Sequence, residues 1–316
     1  MKLVQINASK ISRLRSGGML NVWMPKNYEE LQKFVKTKRK YIVLGAMSNV
    51  IIPDDEMNAV IIRLNKMNKI YFEQDQENTK TSNVNFLYST PIKVNINNEP
   101  KYHQNQSIQS NTNNKYRVIV DAGVYLKALA IECAKHSYSG LEFFYTIPGT
   151  VGGALFMNAG AHGKCTYDCV EWVKVMDLTG EIHTLWRKNI QYEYRSANIP
   201  SGWTILQASF FLDLADKNTI MSSMLQFQEY RRKTQPTDFT CGSTFKNPAN
   251  TSAWKLIKSL SNSDLNWNLI SMSSLHANFL HNKGASSNTI KKFILSIQQK
   301  VFQKHKILLD AEVVIL

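Results

Sequence analysis

Ile147-Pro148-Gly149-Thr150-Val151-Gly152-Gly153-Ala154 is the stretch on which the reading of this chain turns. Its glycines let the backbone adopt positive φ and approach a ligand with no Cβ in the way. Successive free N–H groups in such a turn form a concavity suited to an anion such as a pyrophosphate. On composition alone, a tight turn inside a core is the favoured account of the stretch. Two familiar phosphate loops are excluded. No G-x-G-x-x-G opens a helix with an acidic partner downstream. Near Gly163-Lys164 the P-loop pattern also fails, because Asn158 stands where its first glycine belongs and Cys165 replaces Ser/Thr.

Working outward, short β-type runs surround the turn: Tyr41 to Leu44, Val60 to Leu64, Tyr116 to Val120, Val170 to Leu178, Ile182 to Leu185 and Thr204 to Leu214. Asn27 with Glu30 three residues on predicts a capped helix carrying Leu31, Phe34 and Val35, and Leu126 to Ala134 reads as another. From about Ile220 the pattern is helical, ending in the basic cluster Arg231, Arg232 and Lys233. A further helix, expected to be capped by Asn288, carries Ile290, Phe293, Ile294, Ile297 and Val301 at core-facing spacing. The chain closes on a strand, Ala311 to Leu316. Residues 72–115 are rich in Asn, Gln, Ser and Thr and bury little apolar surface, so they are expected to be a mostly mobile insertion with local order at most around Asn83 to Ile96. The expected architecture is α+β: a cofactor domain split into 1–70 and 116–219 around the 71–115 insertion, then a smaller α/β domain from 220 to 316.

At 316 residues, with 43% apolar and 20% charged residues, the chain can bury two or three modest cores. No run approaches the roughly 18 apolar residues of a membrane helix, and the basic N-terminus lacks an apolar export signal, so a cytoplasmic location is expected. The four cysteines, Cys133, Cys165, Cys169 and Cys241, suit reduced thiols. His162, Cys165 and Cys169 form no zinc-ligand spacing that repeats, so no metal site is expected. A net charge of +14 favours negative partners, but its Lys and Arg are scattered, which argues against a dedicated nucleic-acid surface; a Lys-rich surface without a partner and small phosphorylated ligands both account for the sign.

Ordered blocks along the chain make a resemblance specific. Gly140-Leu141-Glu142-Phe143 leads into the Ile147 to Ala154 turn and then Met157-Asn158-Ala159-Gly160-Ala161. Tyr194-Arg195-x-Ser (with Ser196 displaced by one), Cys241-Gly242-Ser243-Thr244-Phe245-Lys246-Asn247-Pro248, His276-Ala277-Asn278-Phe279 and Glu312-Val313 follow. Together with Gly17-Gly18 and Gly45 to Asn49, this order resembles the UDP-N-acetylenolpyruvoylglucosamine reductases, in the shorter subtype without a Tyr-bearing loop domain.

The resemblance implies a two-part FAD-binding domain of the PCMH (vanillyl-alcohol-oxidase) type plus a C-terminal α/β substrate domain. It implies FAD as cofactor, NADPH as co-substrate and an enolpyruvyl UDP-sugar as substrate, in a monomer needing no membrane. Cofactor contacts are expected at Gly45, Ser48, Asn49, Gly123, Ile147, Pro148, Gly149, Thr150, Gly152, Gly153, Asn158 and Ala159, and substrate contacts at Tyr194, Lys246 and Asn247. Hydride transfer to the enolpyruvyl methylene carbon leaves negative charge on the adjacent carbon and its carboxylate. That chemistry asks for a fixed cation, an acidic partner and a proton donor, which the resemblance places at Arg195, Glu312 and Ser243.

By residue type alone, Arg195 also suits a surface arginine, Ser243 a polar turn and Glu312 an edge-strand carboxylate. Facing inward with Val314 and Leu316, Glu312 would be desolvated and kept protonated. Another FAD-linked oxidoreductase on the same scaffold, or a decayed flavoprotein, is the competing reading. Where the family has further glycines this chain has Ala46 and Met47, and a bulky Met47 at positive φ would be strained. Glycines usual after Leu256-Ile257 and before the last strand are also replaced, by Ser261 to Asp264 and by Lys304-His305-Lys306.

Overall fold

The computed structural model describes residues 2–73, 79–83 and 116–316. The N-terminal part holds strand β1 (Val4–Asn7), the short helix α1 (Ala8–Ile11), β2 (Met19–Trp23), helix α2 (Tyr28–Val35), β3 (Tyr41–Val43), β4 (Val50–Ile51) and β5 (Val60–Ile62). Four of these strands form a mixed sheet in the order β1-β2-β5-β3. The Asn27 cap forms as expected, its side chain accepting from Glu30 N at 2.9 Å, while Glu30 turns back to accept from Lys26 N at 2.9 Å. Leu31, Phe34 and Val35 then point inward, Phe34 meeting Trp23 at 4.9 Å between ring centroids.

The second layer is a seven-stranded sheet built mostly from residues after 116. Its order is Ile182–Trp186, Val170–Met176, Thr204–Leu214, β8 (Tyr116–Asp121), β6 (Lys69–Glu73) and β7 (Thr79–Asn83), with Tyr138–Ser139 pairing the far end of Thr204–Leu214. Every pairing in it is antiparallel. Part of the supposed insertion therefore belongs to the fold: Phe72 and Glu73 pair with β8, and β7 pairs with β6. Phe72 is buried and stacks on His136, which gives that end of the segment the apolar anchor its composition concealed. The expected local order over Asn83 to Ile96 falls, beyond Asn83, outside the described residues. Helices α3 (Leu126–Lys135), α4 (Val151–Phe156) and α5 (Lys217–Thr234) cover the sheet.

The C-terminal part holds α6 (Ala253–Lys258), α7 (Asn262–Leu265), a three-stranded sheet including Ile270–Met272 and Leu280–Asn282, and the long helix α8 (Ser287–His305). Its cap is Ser286, not Asn288, because the Ser286 side chain accepts from Thr289 N at 3.2 Å. Asp54 reinforces that helix start by accepting from Ser287 N at 2.6 Å and Ser287 Oγ at 2.8 Å, a carboxylate at the positive end of the helix dipole. The α8 stripe from Ile290 to Val301 is buried as its spacing predicts.

Two packing facts bear on the expected boundaries. Ile220 and Met224 of α5 belong to the core of the large sheet, and the C-terminal core begins at Cys241. We therefore propose moving the start of the C-terminal unit from 220 to about 235, α5 being drawn to the sheet by its apolar face. That C-terminal core also contains Leu14 and Ile51, both fully buried, from the first fifty-odd residues. The final strand is shorter than expected, Val314–Ile315, and pairs in parallel with β4. The chain's two ends thus close one structure.

Candidate active site

A cavity of about 1090 Å³ opens where the three parts meet, at the upper end of the usual size for ligand sites. Its walls come from the 45–49 loop, the Ile147 to Ala154 turn, the Ala159–His162 hairpin, the end of α5, the Cys241–Ser243 segment and the last strand. Eleven of the twelve residues expected to touch a cofactor line it. These are Gly45, Ser48, Asn49, Gly123, Ile147 to Thr150, Gly152, Gly153 and Ala159. Asn158 does not. It is buried, donating from Nδ2 to Glu193 O at 2.8 Å and accepting from Tyr167 N at 3.3 Å, so it anchors the strand that leads into Arg195.

The turn differs from the expectation in one respect. Val151 N donates to Val124 O and Gly152 N to Ala122 O, both at 2.9 Å, so these two groups are spent on the β8–α3 connection and are not free for an anion. Close packing explains Gly152 in the turn, where a Cβ would fall 3.1 Å from Ala122 Cβ, and two glycines that pack around it. A Cβ on Gly123 would fall 1.9 Å from Leu64 O, and one on Gly45 would fall 2.4 Å from Thr150 Oγ1. Ser48 Oγ donates to Pro148 O at 2.6 Å, tying the 45–49 loop to the turn. Met47 does adopt positive φ, at 50°, and its side chain is buried among Ala8, Leu20, Val22, Ile52 and Ile61. Burial of the thioether, worth a few kcal/mol, outweighs the roughly 1–2 kcal/mol of left-handed backbone.

The three expected catalytic side chains all reach this cavity. Arg195 sits at φ 58° between the short strands Tyr192–Glu193 and Ser196–Ala197, a turn that turns its side chain inward. Its Nε donates to Glu312 Oε1 at 2.6 Å and its Nη2 to Gly160 O at 3.2 Å. The Glu312 side chain is only 10% exposed, and Oε2 is buried with no hydrogen-bond partner. Burial pushes the Glu312 carboxyl above the ordinary carboxylate range, against the opposing pull of Arg195 and Lys246. Glu312, Val314 and Leu316 face the cavity while Val313 packs into the C-terminal core, which is the alternation read from the sequence.

Ser243 follows Gly242, at φ 84°, and forms an antiparallel bridge with Phe279. Glu312 N donates to Thr244 O at 2.9 Å, so the Ser243 and Glu312 segments are hydrogen-bonded neighbours. Asn49 adds a third tie, Nδ2 donating to Glu312 O at 3.1 Å. The expected substrate residues lie off the wall. Lys246 is near enough to bias Glu312; Asn247 is exposed and accepts from Ala253 N at 3.0 Å, at the start of α6; Tyr194 is half exposed with Arg195 over its ring at 4.9 Å.

Three wall residues carry chemistry that the sequence motifs did not place there. Arg231 donates to Thr146 O, and burial with Arg13 and Arg195 nearby lowers its pKa to about 10. His162, which sequence spacing connects only with a metal-ligand pattern, belongs to this wall. It stacks on Phe227 at 4.0 Å and 8°, lies 5.8 Å from the Tyr230 ring, and is pushed down to about 4 by burial and Arg231. Gln235 presents a buried Oε1 with no partner. The basic cluster ending α5 was visible in the sequence; the inward turn of Arg231 depends on how α5 packs.

Sequence and fold match known proteins along nearly the whole chain. Residues 235–316 match the family model described as UDP-N-acetylenolpyruvoylglucosamine reductase, C-terminal domain, and residues 101–185 match an FAD binding domain. The UDP-N-acetylenolpyruvoylglucosamine reductase of Carboxydothermus hydrogenoformans is 32% identical over 299 residues, covering 92% of this chain and 85% of that protein. That of Orientia tsutsugamushi (strain Boryong) is 31% identical over 313 residues, covering 96% and 91%. The crystal structure of the Thermus caldophilus reductase superposes with a TM-score of 0.75 at 25% identity, covering 100% of this chain and 99% of that one. The α+β architecture is thus the expected one, a two-part FAD-binding domain of the PCMH type with a C-terminal α/β domain. With likeness of that extent running from the first strand to the last, the chain belongs to the UDP-N-acetylenolpyruvoylglucosamine reductase family.

Proposed function

We propose that this chain reduces UDP-N-acetylglucosamine enolpyruvate to UDP-N-acetylmuramate for peptidoglycan synthesis, with Arg195, Ser243 and Glu312 as the catalytic residues. The family supplies the reaction class, an FAD-dependent, NADPH-linked oxidoreductase. The observation that carries the assignment of residues is Glu312 Oε2, a buried oxygen without a partner, on the wall shared with Ser243 and beside the Arg195 guanidinium.

The cavity suits a long, phosphate-bearing cofactor: it is lined by the glycine turn, by Leu44, Leu64 and Leu126, and by Arg39, Arg195 and Arg231. FAD bound there supplies the hydride carrier between NADPH and the sugar. Arg195 keeps a permanent charge beside the position where the substrate carboxylate becomes electron-rich. Glu312, whose carboxyl burial biases towards the neutral form, is the acidic partner in this proposal, its unpartnered Oε2 being the oxygen available to that developing negative charge. Ser243, fixed by its bridge to Phe279, delivers the proton that completes the lactyl ether. Val314 and Leu316 help keep water from this wall.

A monomer working in the cytoplasm belongs to the same proposal, supported by small, charged, diffusible co-substrates; no helix among the described residues is long and apolar enough to cross a membrane. Steady-state assay tests the reading. NADPH oxidation should depend on the enolpyruvyl UDP-sugar; turnover of alcohols with oxygen, and none with the UDP-sugar, would favour another flavin oxidoreductase.

A further inference from the structure

We propose that Asn278 is a positioning residue that sets the register of both Ser243 and Glu312; the inference rests on the roles assigned to those two side chains. Asn278 is 2% exposed and far too buried to meet substrate. Its side chain forks onto the backbone of a single residue: Phe245 N donates to Oδ1 at 3.0 Å, and Nδ2 donates to Phe245 O at 2.8 Å. Its own carbonyl accepts from Thr244 N at 2.8 Å. Three hydrogen bonds therefore fix the two residues that follow Ser243.

The need for a side chain here comes from strand geometry. The 243–246 segment also runs beside 310–313, where Glu312 N donates to Thr244 O at 2.9 Å and Lys246 N donates to Asp310 O at 2.8 Å. Between those bonds, Phe245 and Ala311 face each other as a bridge pair. The Thr244 carbonyl and the Lys246 N–H thus serve the last segment of the chain, while the Thr244 N–H and both polar groups of Phe245 are taken up at the opposite edge. On that edge Ser243 bridges Phe279, and the Asn278 carboxamide takes the place of a further strand residue. Only an amide offers one donor and one acceptor in that fork. Phe245 is itself fully buried, so truncating Asn278 strands a buried N–H and C=O. The strain then falls on Ser243 on one side and, through Thr244 O, on Glu312 on the other. A displacement of about 1 Å between reacting groups is enough to cost about 10²-fold.

Asn282 provides the control. It is equally buried and equally committed, accepting from Ala285 N at 2.7 Å and Gly284 N at 3.1 Å and donating to Leu14 O at 3.0 Å, with no bond to the 243–246 or 310–313 segments. A purely structural asparagine should behave as Asn282 does.

The test is anaerobic rapid mixing of the FAD-loaded protein, with flavin reduction by NADPH and reoxidation by the enolpyruvyl UDP-sugar followed separately. For Asn278→Ala, reoxidation should slow by about 10- to 100-fold while reduction stays within about twofold, and the solvent deuterium isotope effect on reoxidation should rise. Asn282→Ala should lower the thermal midpoint and leave both steps within about twofold. Asn278→Asp, which keeps the shape and one of the two bonds to Phe245, is judged by the same criteria and decides the matter if Asn278→Ala does not fold. Reoxidation near the parent rate, or equal loss in both steps, would overturn the assignment. Ser243→Ala in the same assay separates the two claims: if it leaves reoxidation intact the catalytic reading fails, and if it slows reoxidation while the Asn278 variants do not, only the positioning role fails.

Discussion

Leu14→Ala tests whether the chain's two ends really share one core. Leu14 follows α1, yet its fully buried side chain packs in the C-terminal cluster with Ile51, Phe245 and the α8 stripe. Truncation removes three carbons from that core, about 2.4 kcal/mol at roughly 0.8 kcal/mol each. The residual cavity adds to this, placing the total at about 3–4 kcal/mol, within the range for buried leucine truncations. The neighbourhood has little freedom to collapse, because Asn282 Nδ2 holds Leu14 O at 3.0 Å. Chemical unfolding of the purified protein measures the loss. Native-state hydrogen exchange should place the new openings in α8 and the last strand, with the Thr204–Leu214 strand least affected. A loss under about 1 kcal/mol, or openings confined to the large sheet, would refute the shared core.

Glu312→Gln keeps the shape and the Arg195 contact but removes the acid; flavin reduction by NADPH should hold, and reduction of the sugar should fall by about 10²- to 10⁴-fold in single-turnover assays. Met47→Gly relieves the left-handed backbone but empties a buried site, so unfolding should show a net loss of about 1–3 kcal/mol; a gain would mean that strain dominates. His162, depressed in the folded state from 6.5 to about 4, contributes stability that is complete above about pH 6.5 and is lost as pH falls towards 4, because the unfolded chain takes up the proton first. Partial exposure screens that depression, leaving about 1–2 kcal/mol of stability. His162→Gln should flatten that acid limb of stability against pH, and an unchanged limb would remove His162 as its cause.

Much of the fold was legible because its signals are local. The Thr204–Leu214 strand has the bounds its apolar run predicts, and Asn27 caps its helix with the residue three positions on. What escaped was set by distant partners. Ser286 takes the α8 cap from Asn288 because Asp54 braces the helix start there. α5 joins the large sheet because Ile220 and Met224 find their partners there, a choice helical spacing leaves open. Residues 72–73 and 79–83 join the sheet despite a polar composition, since β8 offers an edge to β6 and β6 in turn offers one to β7. At the site, motif order pointed to Arg195, Ser243 and Glu312, which three separate segments bring to one cavity. Arg231, His162 and Gln235 carried no comparable signal, their exposure to the cavity being decided by how α5 lies against the 146–162 region. In the glycine turn two N–H groups meet carbonyls at 122 and 124, partners no local pattern could supply, which fits the tight core turn that composition favours rather than a row of free anion-binding groups.

Single-turnover kinetics of Ser243→Ala put the central claim to the most direct test. With FAD bound, the account predicts bleaching of the flavin by NADPH at the parent rate and a return of colour with the enolpyruvyl UDP-sugar that is slower by about two orders of magnitude or more. Return at the parent rate would mean that the hydroxyl at 243 is not the group that protonates the reduced sugar.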